Sequence, residues 1–312
     1  MSFSANTKNE LARVEPEKKC CKLAEIAGFI RMCGTIKLTG KGNLKLSIVT
    51  ENAAVARLFK KLIKDYFDAK THLLIVQTAI LKKGHLYELT IDEDMNAEQI
   101  LREIGVLLVR EGCNYISDGI FQDIIKTKCC KRAYLRGVFL GAGTLSNPEK
   151  AYHVEFVCNS ETLANDVKKL VNSFGLRSKI VIRKKSYIVY IKEAEQIIDL
   201  LNILGAHGQL LSFENTRIVK EMRNKTNRII NCESANMDKT INAAVRQINN
   251  IKKIEEIRGM KSLPDKLYEA AILRIENPEA SLMELAEMMN PPIGKSGINH
   301  RFKKIEEIAS KL

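Results

Sequence analysis

The chain has 312 residues, of which 45% are hydrophobic and 28% are charged, as in an average soluble globular protein. At roughly 150 residues per domain, this length predicts two domains or one large one, and the composition excludes a mini-protein, a disordered chain and a fibre. The longest apolar stretches, such as 106–109, are far shorter than the roughly 18 residues of a membrane-spanning helix. Because the polar N-terminus resembles no export signal, we expect a cytoplasmic protein.

The charge of the chain is strongly positive. Its 50 lysines and arginines exceed 37 aspartates and glutamates, which gives a formal net charge of +13. Such an excess attracts polyanions, so nucleic acid is the first expected partner. The excess is densest in residues 215–260, with 10 basic and 5 acidic residues. Since only 6% of the residues are aromatic, few rings are available to stack on single-stranded bases, and we expect a duplex.

The eight cysteines show no CxxC spacing, which disfavours a zinc ribbon. Two vicinal pairs, Cys20-Cys21 and Cys129-Cys130, are predicted to be small buried or half-buried hydrophobic residues rather than a disulfide or a redox switch. The sequence therefore predicts no metal site and no cofactor.

An internal duplication organises the first two thirds of the chain. Residues 18–36 align with residues 127–145 at an offset of 109, and 8 of the 19 pairs are identical. Later segments match at an offset of 108, where KKLI at 60–63 aligns with KKLV at 168–171. We infer two copies of one unit, at about 18–110 and 127–204, within a domain that spans 1–212.

Each copy is predicted to contain a helix, two strands, a helix, two strands and a closing helix. Turn residues separate the first strand pairs, in TGKGN at 39–43 and at Asn147-Pro148. The later elements are predicted at the following ranges: helices at 52–67 and 160–174, strand pairs at 71–91 and 178–192, and closing helices at 95–110 and 193–204. The predicted fold class is α+β, a pseudo-twofold αββαββα duplication followed by an all-α domain.

The first helix of each copy, at 26–34 and 135–143, resembles the LAGLIDADG helix of homing endonucleases. Gly28 and Gly137 each cost ~1 kcal/mol in mid-helix, which indicates that the two helices pack backbone to backbone at a seam. The resemblance implies that in active enzymes the eighth motif position of each copy is a carboxylate, and that the two carboxylates together hold the divalent cations. Here those positions are Cys33 and Ala142. Because Mg²⁺ requires oxygen ligands, we expect no catalytic residues and no nuclease activity.

In that family the sheets form a saddle that lies on duplex DNA. Basic residues on the predicted strands and turns are Lys37, Lys41, Lys45, Lys82, Lys83, Lys179, Arg183, Lys184 and Lys185. Two interpretations stay open for this surface, which are contact with DNA and docking of a protein partner.

Residues 213–233 are predicted to be a basic linker. The stretch contains Arg217, Lys220, Arg223, Lys225 and Arg228, and between 216 and 228 only Glu221 opposes them. The spacing of the first three predicts one positive face on a helix. Phosphate contact is one interpretation, and a solvent-exposed connecting helix is the other.

Residues 234–312 are predicted to be helical, with a helix-turn-helix at about 275–309. The apolar stripe of a long helix at 234–258 is formed by Ile241, Val245, Ile248, Ile251, Ile254 and Ile257. Pro264 opens the next helix, Ser281 begins a short helix with a capping-box spacing, and NPPIG at 290–294 must turn. Ser296 is predicted to cap the last helix, whose inner face is Ile298, Phe302, Ile305 and Ala309.

The first turns of this last helix are predicted to bind DNA, as in other helix-turn-helix proteins. The candidate residues are Ser296, Asn299, His300, Arg301, Lys303 and Lys304. Asn299 suits adenine and His300 or Arg301 suits guanine, whereas Lys303 and Lys304 suit phosphate.

A degenerate LAGLIDADG-like domain followed by a helix-turn-helix similar to region four of sigma factors resembles the WhiA family of bacterial regulators. The resemblance covers essentially the whole chain and is strongest in the duplicated CCK segments, in 223–240 and in 278–305. It implies a sequence-specific, double-stranded DNA-binding transcription regulator. It also implies a place at the nucleoid and a role in sporulation, or in cell division and chromosome segregation.

Two alternatives remain at this point. One is a metal-dependent endonuclease with rearranged ligands, and the other is an adaptor whose saddle docks a protein. Besides duplex DNA, another transcription factor or RNA polymerase is a candidate partner, whereas no membrane and no small-molecule substrate is expected.

Overall fold

The structure is a computed structural model that describes residues 2–39, 43–77, 85–92 and 96–312. The chain divides into two compact units, Met1–Lys220 and Glu221–Leu312. The division falls within one 52-residue helix, His207–Arg258, so that residues 213–233 are helical. The predicted domain boundaries at 212 and 233 stay a prediction. None of the described helices is long and apolar enough to cross a membrane.

The first unit contains the duplicated elements. Its helices are α1 (Phe3–Leu11), α2 (Lys19–Cys33), α3 (Ala53–Phe67), α4 (Ala97–Glu103), α5 (Lys128–Ala142), α6 (Glu161–Asn172), α7 (Ala194–Leu204) and the start of α8 (His207–Arg258). Its strands are β1 (Gly34–Leu38), β2 (Leu44–Thr50), β3 (His72–Gln77), β4 (His85–Ile91), β5 (Leu107–Arg110), β6 (Cys113–Ile116), β7 (Gly143–Leu145), β8 (Val154–Cys158), β9 (Lys179–Arg183) and β10 (Ser186–Ile191).

Two antiparallel four-stranded sheets repeat one topology, since their strand orders are β1-β2-β4-β3 and β7-β8-β10-β9. The apolar residues at alternate positions of the central strands are buried, as in a sheet that has helices on one face, and Ser47 and Thr90 between them are buried as well. The apolar residues are Leu46, Ile48, Leu89 and Ile91 in the first sheet and Val154, Phe156, Val189 and Ile191 in the second. The predicted fold class, with its duplication, is confirmed.

One closing helix differs from its prediction. The sequence places it at 95–110, but α4 ends at Glu103 and the chain continues into the β5–β6 hairpin. Gly105 has φ 68°, which ends the helical path, and Glu111 and Gly112 have φ 54° and 79°. Positive φ at both central residues of a two-residue loop matches the twist of a hairpin. The prediction was wrong because a Glu-Gly turn was not recognised between two apolar runs.

The seam between the repeats is the contact of α2 with α5, as the sequence predicts. A Cβ on Gly28 would lie 2.3 Å from the Tyr134 carbonyl oxygen, and a Cβ on Gly137 would lie 2.2 Å from the Glu25 carbonyl oxygen. Both distances are far inside van der Waals contact, so only glycine permits this approach of the two backbones.

An ion pair lies buried in the same seam. The Arg136 guanidinium donates from Nε and Nη2 to the two carboxylate oxygens of Glu25, at 3.0 and 2.5 Å. Arg136 Nη1 also donates to the Leu204 carbonyl oxygen at 3.4 Å. Burial raises the pKa of Glu25, and the neighbouring guanidinium opposes that shift. Arg136 thus links α5 to α2 through Glu25 and to α7 through Leu204. Removal of either charged partner would leave the other charge buried without a counterion, which is strongly destabilising.

The second unit is a helical domain around its own core. It contains the rest of α8, then α9 (Asp265–Glu276), α10 (Leu282–Glu287) and α11 (Lys295–Ser310). The buried residues of these helices include Ile251, Ile254, Leu267, Ala270, Leu285, Ile298, Phe302, Ile305 and Ala309. The predicted inner face of the last helix is thus confirmed.

The helix ends of this unit agree with the sequence at one place and differ at another. The capping box at α10 is confirmed, since the Ser281 backbone N–H donates to the Glu284 carboxylate at 2.6 Å and the Glu284 N–H donates to Ser281 Oγ at 3.3 Å. By contrast, Gly294 is the N-cap of α11, and Ser296 lies in its first turn. The prediction of Ser296 as the cap was wrong because it placed the N-terminal boundary of the helix two residues too late.

The predicted apolar stripe of α8 is only partly buried. Ile251 and Ile254 are fully buried, but Ile241, Val245 and Ile257 are each about half exposed. A repeat of three residues falls short of the 3.6 residues of a helical turn, so successive members of the stripe drift around the helix. The face that is buried in this unit instead combines Ile251 and Ile254 with Ala244.

We expect Gly137→Ala to destabilise the protein. The new Cβ meets backbone and not a flexible side chain, so the cost is about 1–3 kcal/mol of unfolding free energy. Gly297→Ala is the matched control, since its Cβ would lie 3.5 Å from Ile293 Cδ1 and alanine favours a helix by up to about 1 kcal/mol. Urea denaturation of the full chain, followed by circular dichroism, measures both. Equal stability of the two variants would contradict the glycine seam.

Candidate nucleic-acid interface

Hydrogen bonds to α10 and α9 hold the turn between α10 and α11 in place. The Ile293 backbone N–H donates to the Ala286 carbonyl oxygen at 3.0 Å, and the Asn290 N–H donates to the Glu269 carboxylate at 2.9 Å. At the other end of α10, buried Arg274 donates from Nη1 to the Ala280 carbonyl oxygen at 2.6 Å. These bonds hold α10 and α11 as a helix-turn-helix on α9.

Helix α11 therefore has one buried and one solvent-exposed face. Its exposed residues in the first three turns are Lys295, Ser296, Asn299, His300, Lys303 and Lys304. Five of these were predicted from the sequence, and the structure brings them together on one surface, which we call the α11 face. Lys295 was missed because the helix was expected to begin after it, although its charge beside Ser296 was a usable signal.

The sixth predicted residue, Arg301, is placed differently. Only 18% of its side chain is exposed, and its Nη1 lies 3.7 Å from the Glu269 carboxylate. The same nitrogen donates to the Lys266 carbonyl oxygen at 3.3 Å and lies 3.8 Å from Met289 Sδ. Arg301 thus ties α11 to α9 and to the turn, and a guanine contact would require it to leave Glu269.

The electrostatics of α11 favour an anion at its N-terminal end. Gly294 offers no side-chain cap to the first-turn N–H groups, and the helix dipole adds positive potential at the same end. The carboxylates lie in the C-terminal half, where Glu306 pairs with Arg246 at 3.5 Å and Glu307 is exposed. A phosphate backbone is therefore attracted to the beginning of the helix and repelled from its end.

The five basic residues that the sequence singles out in α8 fall into two groups. In the first unit, Arg217 lies 3.8 Å from the Glu195 carboxylate, and Lys220 Nζ lies 5.0 Å from the centre of the Tyr152 ring. In the second unit, Arg223, Lys225 and Arg228 are all exposed. The side chains of the second group are exposed, so they can contact phosphate without first leaving a buried position or a partner such as Glu195 or Tyr152.

The described part of the sheets is less positive than the sequence suggests. Lys45 pairs with Asp92 at 2.7 Å, and Arg183 lies 3.7 Å from Glu155. The other predicted basic residues that the structure describes are exposed, namely Lys37, Lys179, Lys184 and Lys185. Lys41, Lys82 and Lys83 lie outside the described residues. DNA contact by this surface stays a prediction.

The degenerate nuclease positions lie at the C-terminal ends of α2 and α5. Cys33 Sγ donates to the Phe29 carbonyl oxygen at 3.1 Å, and burial raises the pKa of Cys33 to about 12. Ala142 is the last residue of α5. Lys8 of α1 lies close enough to Cys33 for their charges to interact, and burial lowers the pKa of this lysine. A neutral thiol, a methyl group and an amine at this place do not fit Mg²⁺, which prefers carboxylate oxygens.

We expect Arg301→Ala to lower the stability of the second unit. Loss of its bonds to α9 costs about 1–2 kcal/mol, since the pair is partly screened by solvent. The neighbouring Lys303→Ala is the matched control, and as a surface change it stays within about 0.5 kcal/mol of the parent protein. Thermal unfolding of the full-length variants measures both. If Arg301→Ala were as stable as Lys303→Ala, the structural role of Arg301 would be refuted.

Three family models match the chain in its own order of domains. The model of the WhiA N-terminal LAGLIDADG-like domain matches residues 19–107, that of the WhiA LAGLIDADG-like domain matches 131–223, and that of the WhiA C-terminal HTH domain matches 226–309. The helix-turn-helix of the second unit is therefore also recognised at the level of sequence.

Relatives and a solved structure extend the match over the full length. The probable cell division protein WhiA of Alkaliphilus metalliredigens is 49% identical over 311 residues, which cover 100% of this chain and 98% of that protein. Its counterpart in Thermoanaerobacter pseudethanolicus is 50% identical over 312 residues, with the same coverage. The crystal structure of full-length DUF199/WhiA from Thermatoga maritima shares the fold, with a TM-score of 0.60, 24% identity and coverage of 100% and 99%. This chain belongs to the WhiA family.

Proposed function

We propose that the protein is a non-enzymatic regulator that binds specific sites on double-stranded DNA through the α11 face. The observation that carries the proposal is the exposed arrangement of Lys295, Asn299, His300, Lys303 and Lys304 on a helix whose opposite face is buried. A helix of this kind enters the major groove with its N-terminal turns against the base edges.

The residues of the α11 face divide into two roles. Asn299 and His300 have short, polar side chains that hydrogen-bond to base edges, and they supply sequence readout. Lys295, Lys303 and Lys304 contact phosphates at the N-terminal end of α11, where the helix dipole is positive, and they supply affinity without sequence information. Arg223, Lys225 and Arg228 add further phosphate contacts from α8.

The biological setting follows from the family. Its curated relatives are named probable cell division proteins, and we propose a role in cell division for this chain, at the nucleoid. The resemblance seen in the sequence extends this role to chromosome segregation or sporulation, through control of transcription together with another transcription factor or RNA polymerase.

Substitution of the lysines is expected to weaken binding to all duplexes alike. Each of Lys295→Ala, Lys303→Ala and Lys304→Ala removes one phosphate contact, so the slope of log affinity against log salt falls by about 1. Lys311→Ala is the control, because Lys311 is exposed beyond the far end of α11. Fluorescence anisotropy at several salt concentrations provides the slopes. Identical slopes in all four variants would exclude the α11 face as the binding surface.

Substitution of Asn299 is expected to change specificity. With a duplex selected from a random pool by the parent protein, Asn299→Ala loses about 1–3 kcal/mol of binding free energy, whereas binding to unrelated DNA is unchanged. Ser310→Ala serves as the control, since Ser310 lies at the C-terminal end of α11 and its hydroxyl donates to the Glu307 carbonyl oxygen. An equal loss on selected and unrelated DNA would show that Asn299 does not read sequence.

The proposal also predicts that the protein does not cut DNA. Supercoiled plasmid incubated with the full chain and Mg²⁺ or Mn²⁺ is expected to stay supercoiled, as it does with boiled protein, because the two motif positions lack carboxylates. Nicking or linearisation that depends on the metal and exceeds the boiled control would favour the endonuclease alternative.

A further inference from the structure

The two vicinal cysteine pairs meet at the N-terminal end of the seam. Cys20 and Cys21 lie in the first turn of α2, and Cys129 and Cys130 lie in the first turn of α5. The sulfur atoms of Cys20, Cys21 and Cys130 all lie within 4.8 Å of one another. Cys129 is outside this group of three, but it precedes Cys130 in the same helical turn, and its thiol interacts with those of Cys21 and Cys130. Four thiols from two distant parts of the chain thus form one group, which we call the thiol cluster.

The thiol cluster is closed on one side and open on the other. Cys21 and Cys130 are buried, with 7% and 4% of their surface exposed, whereas Cys20 and Cys129 are exposed. The buried pair faces the core of the first unit and the exposed pair faces solvent. An ion can therefore reach the cluster from outside and be surrounded by sulfur once it has entered.

We propose that Cys20, Cys21, Cys129 and Cys130 bind one Zn²⁺ ion that joins the two repeats. Zinc takes four thiolates in a tetrahedron with zinc–sulfur distances of about 2.3 Å, which places the sulfur atoms about 3.8 Å apart. That separation lies within the 4.8 Å limit met by three of the four sulfurs. Thiolate ligands select zinc over the hard cations Mg²⁺ and Ca²⁺.

The surroundings of the thiol cluster favour negative charge on sulfur. Both helices begin at the cluster, and the N-terminus of a helix stabilises thiolates. The Thr127 hydroxyl oxygen lies 3.2 Å from Cys129 Sγ, within hydrogen-bonding distance of a thiolate at that position. Binding of the ion displaces protons from the thiols.

Packing alone does not account for four thiols at one point. Cys158 shows what a packed cysteine looks like, since it is buried in the first unit and burial alone raises its pKa. The thiol cluster also lies far from the degenerate nuclease positions. Twelve or thirteen residues of α2 separate it from Cys33, which is about 20 Å along a helix. The zinc ion is thus structural, and its binding free energy stabilises the seam.

The metal content of the full-length protein tests this proposal. Protein purified under reducing conditions and then dialysed is expected to hold one zinc ion per chain, as measured by inductively coupled plasma mass spectrometry. Replacement by Co²⁺ is expected to give the intense thiolate-to-cobalt absorption of a tetrahedral site. The Cys21→Ser/Cys130→Ser variant is expected to lose both signals. The matched Cys113→Ser/Cys232→Ser variant keeps them, because these cysteines are exposed elsewhere in the chain.

Single variants of the exposed ligands cover the case in which the buried double variant does not fold. Cys20→Ser and Cys129→Ser are expected to weaken zinc binding by about tenfold or more, in competition with a chromophoric chelator, since even outer contacts of a metal site contribute that much. Addition of zinc is expected to raise the melting temperature of the parent protein more than that of either variant.

Three results would overturn the proposal. The parent protein could hold neither zinc nor the cobalt absorption while all eight cysteines react as free thiols. Peptide mapping could instead show a disulfide between the two pairs, which would make the cluster a redox site. Finally, the zinc content could be the same in all variants, which would place the ion on other ligands.

Discussion

The contact between α2 and α5 is the constraint on which the first unit depends. Each helix places a glycine against a carbonyl group of the other, at Gly28 and at Gly137, and no larger residue fits there. This approach relates the two repeats by a pseudo-twofold axis and lays the two helices side by side in the same direction. Their C-terminal ends then meet at Cys33 and Ala142, and their N-terminal ends meet at the thiol cluster.

A scaffold of this kind separates architecture from chemistry. The backbone contact and the Glu25–Arg136 ion pair act within the seam and do not involve Cys33 or Ala142. The duplicated fold therefore forms without carboxylates at those two positions. In the second unit, the core of α8 to α11 likewise holds one face of α11 and leaves the other free, which is the physical basis for assigning DNA binding to that helix.

Much of the architecture was predictable because local signals agreed with each other. The identities between 18–36 and 127–145 predicted the duplication, and the spacing of Ser281 and Glu284 predicted a helix start that the structure contains. Features that depend on long-range contact were not predictable. The ion pair of Glu25 with Arg136 joins residues that are 111 positions apart, and no periodicity indicates such a partner. The same holds for the thiol cluster, because the two vicinal pairs carry none of the short spacings of a zinc motif.

The candidate interface shows the same limit. The helical spacing separated the exposed from the buried residues of α11, but it could not show that Glu269 of another helix would bind Arg301. The predicted start of α11 rested on the preference of serine for N-cap positions. In the structure Gly294 is the N-cap, because its extended backbone, with ψ 159°, ends the turn before the helix begins.

A crystal structure of the full chain on a duplex selected from a random pool tests the central claim most directly. The account predicts that the N-terminal half of α11 lies in the major groove, with Asn299 against a base edge and the lysines of the α11 face against phosphates. A duplex that lies on the two sheets, with α11 in solvent, would contradict it.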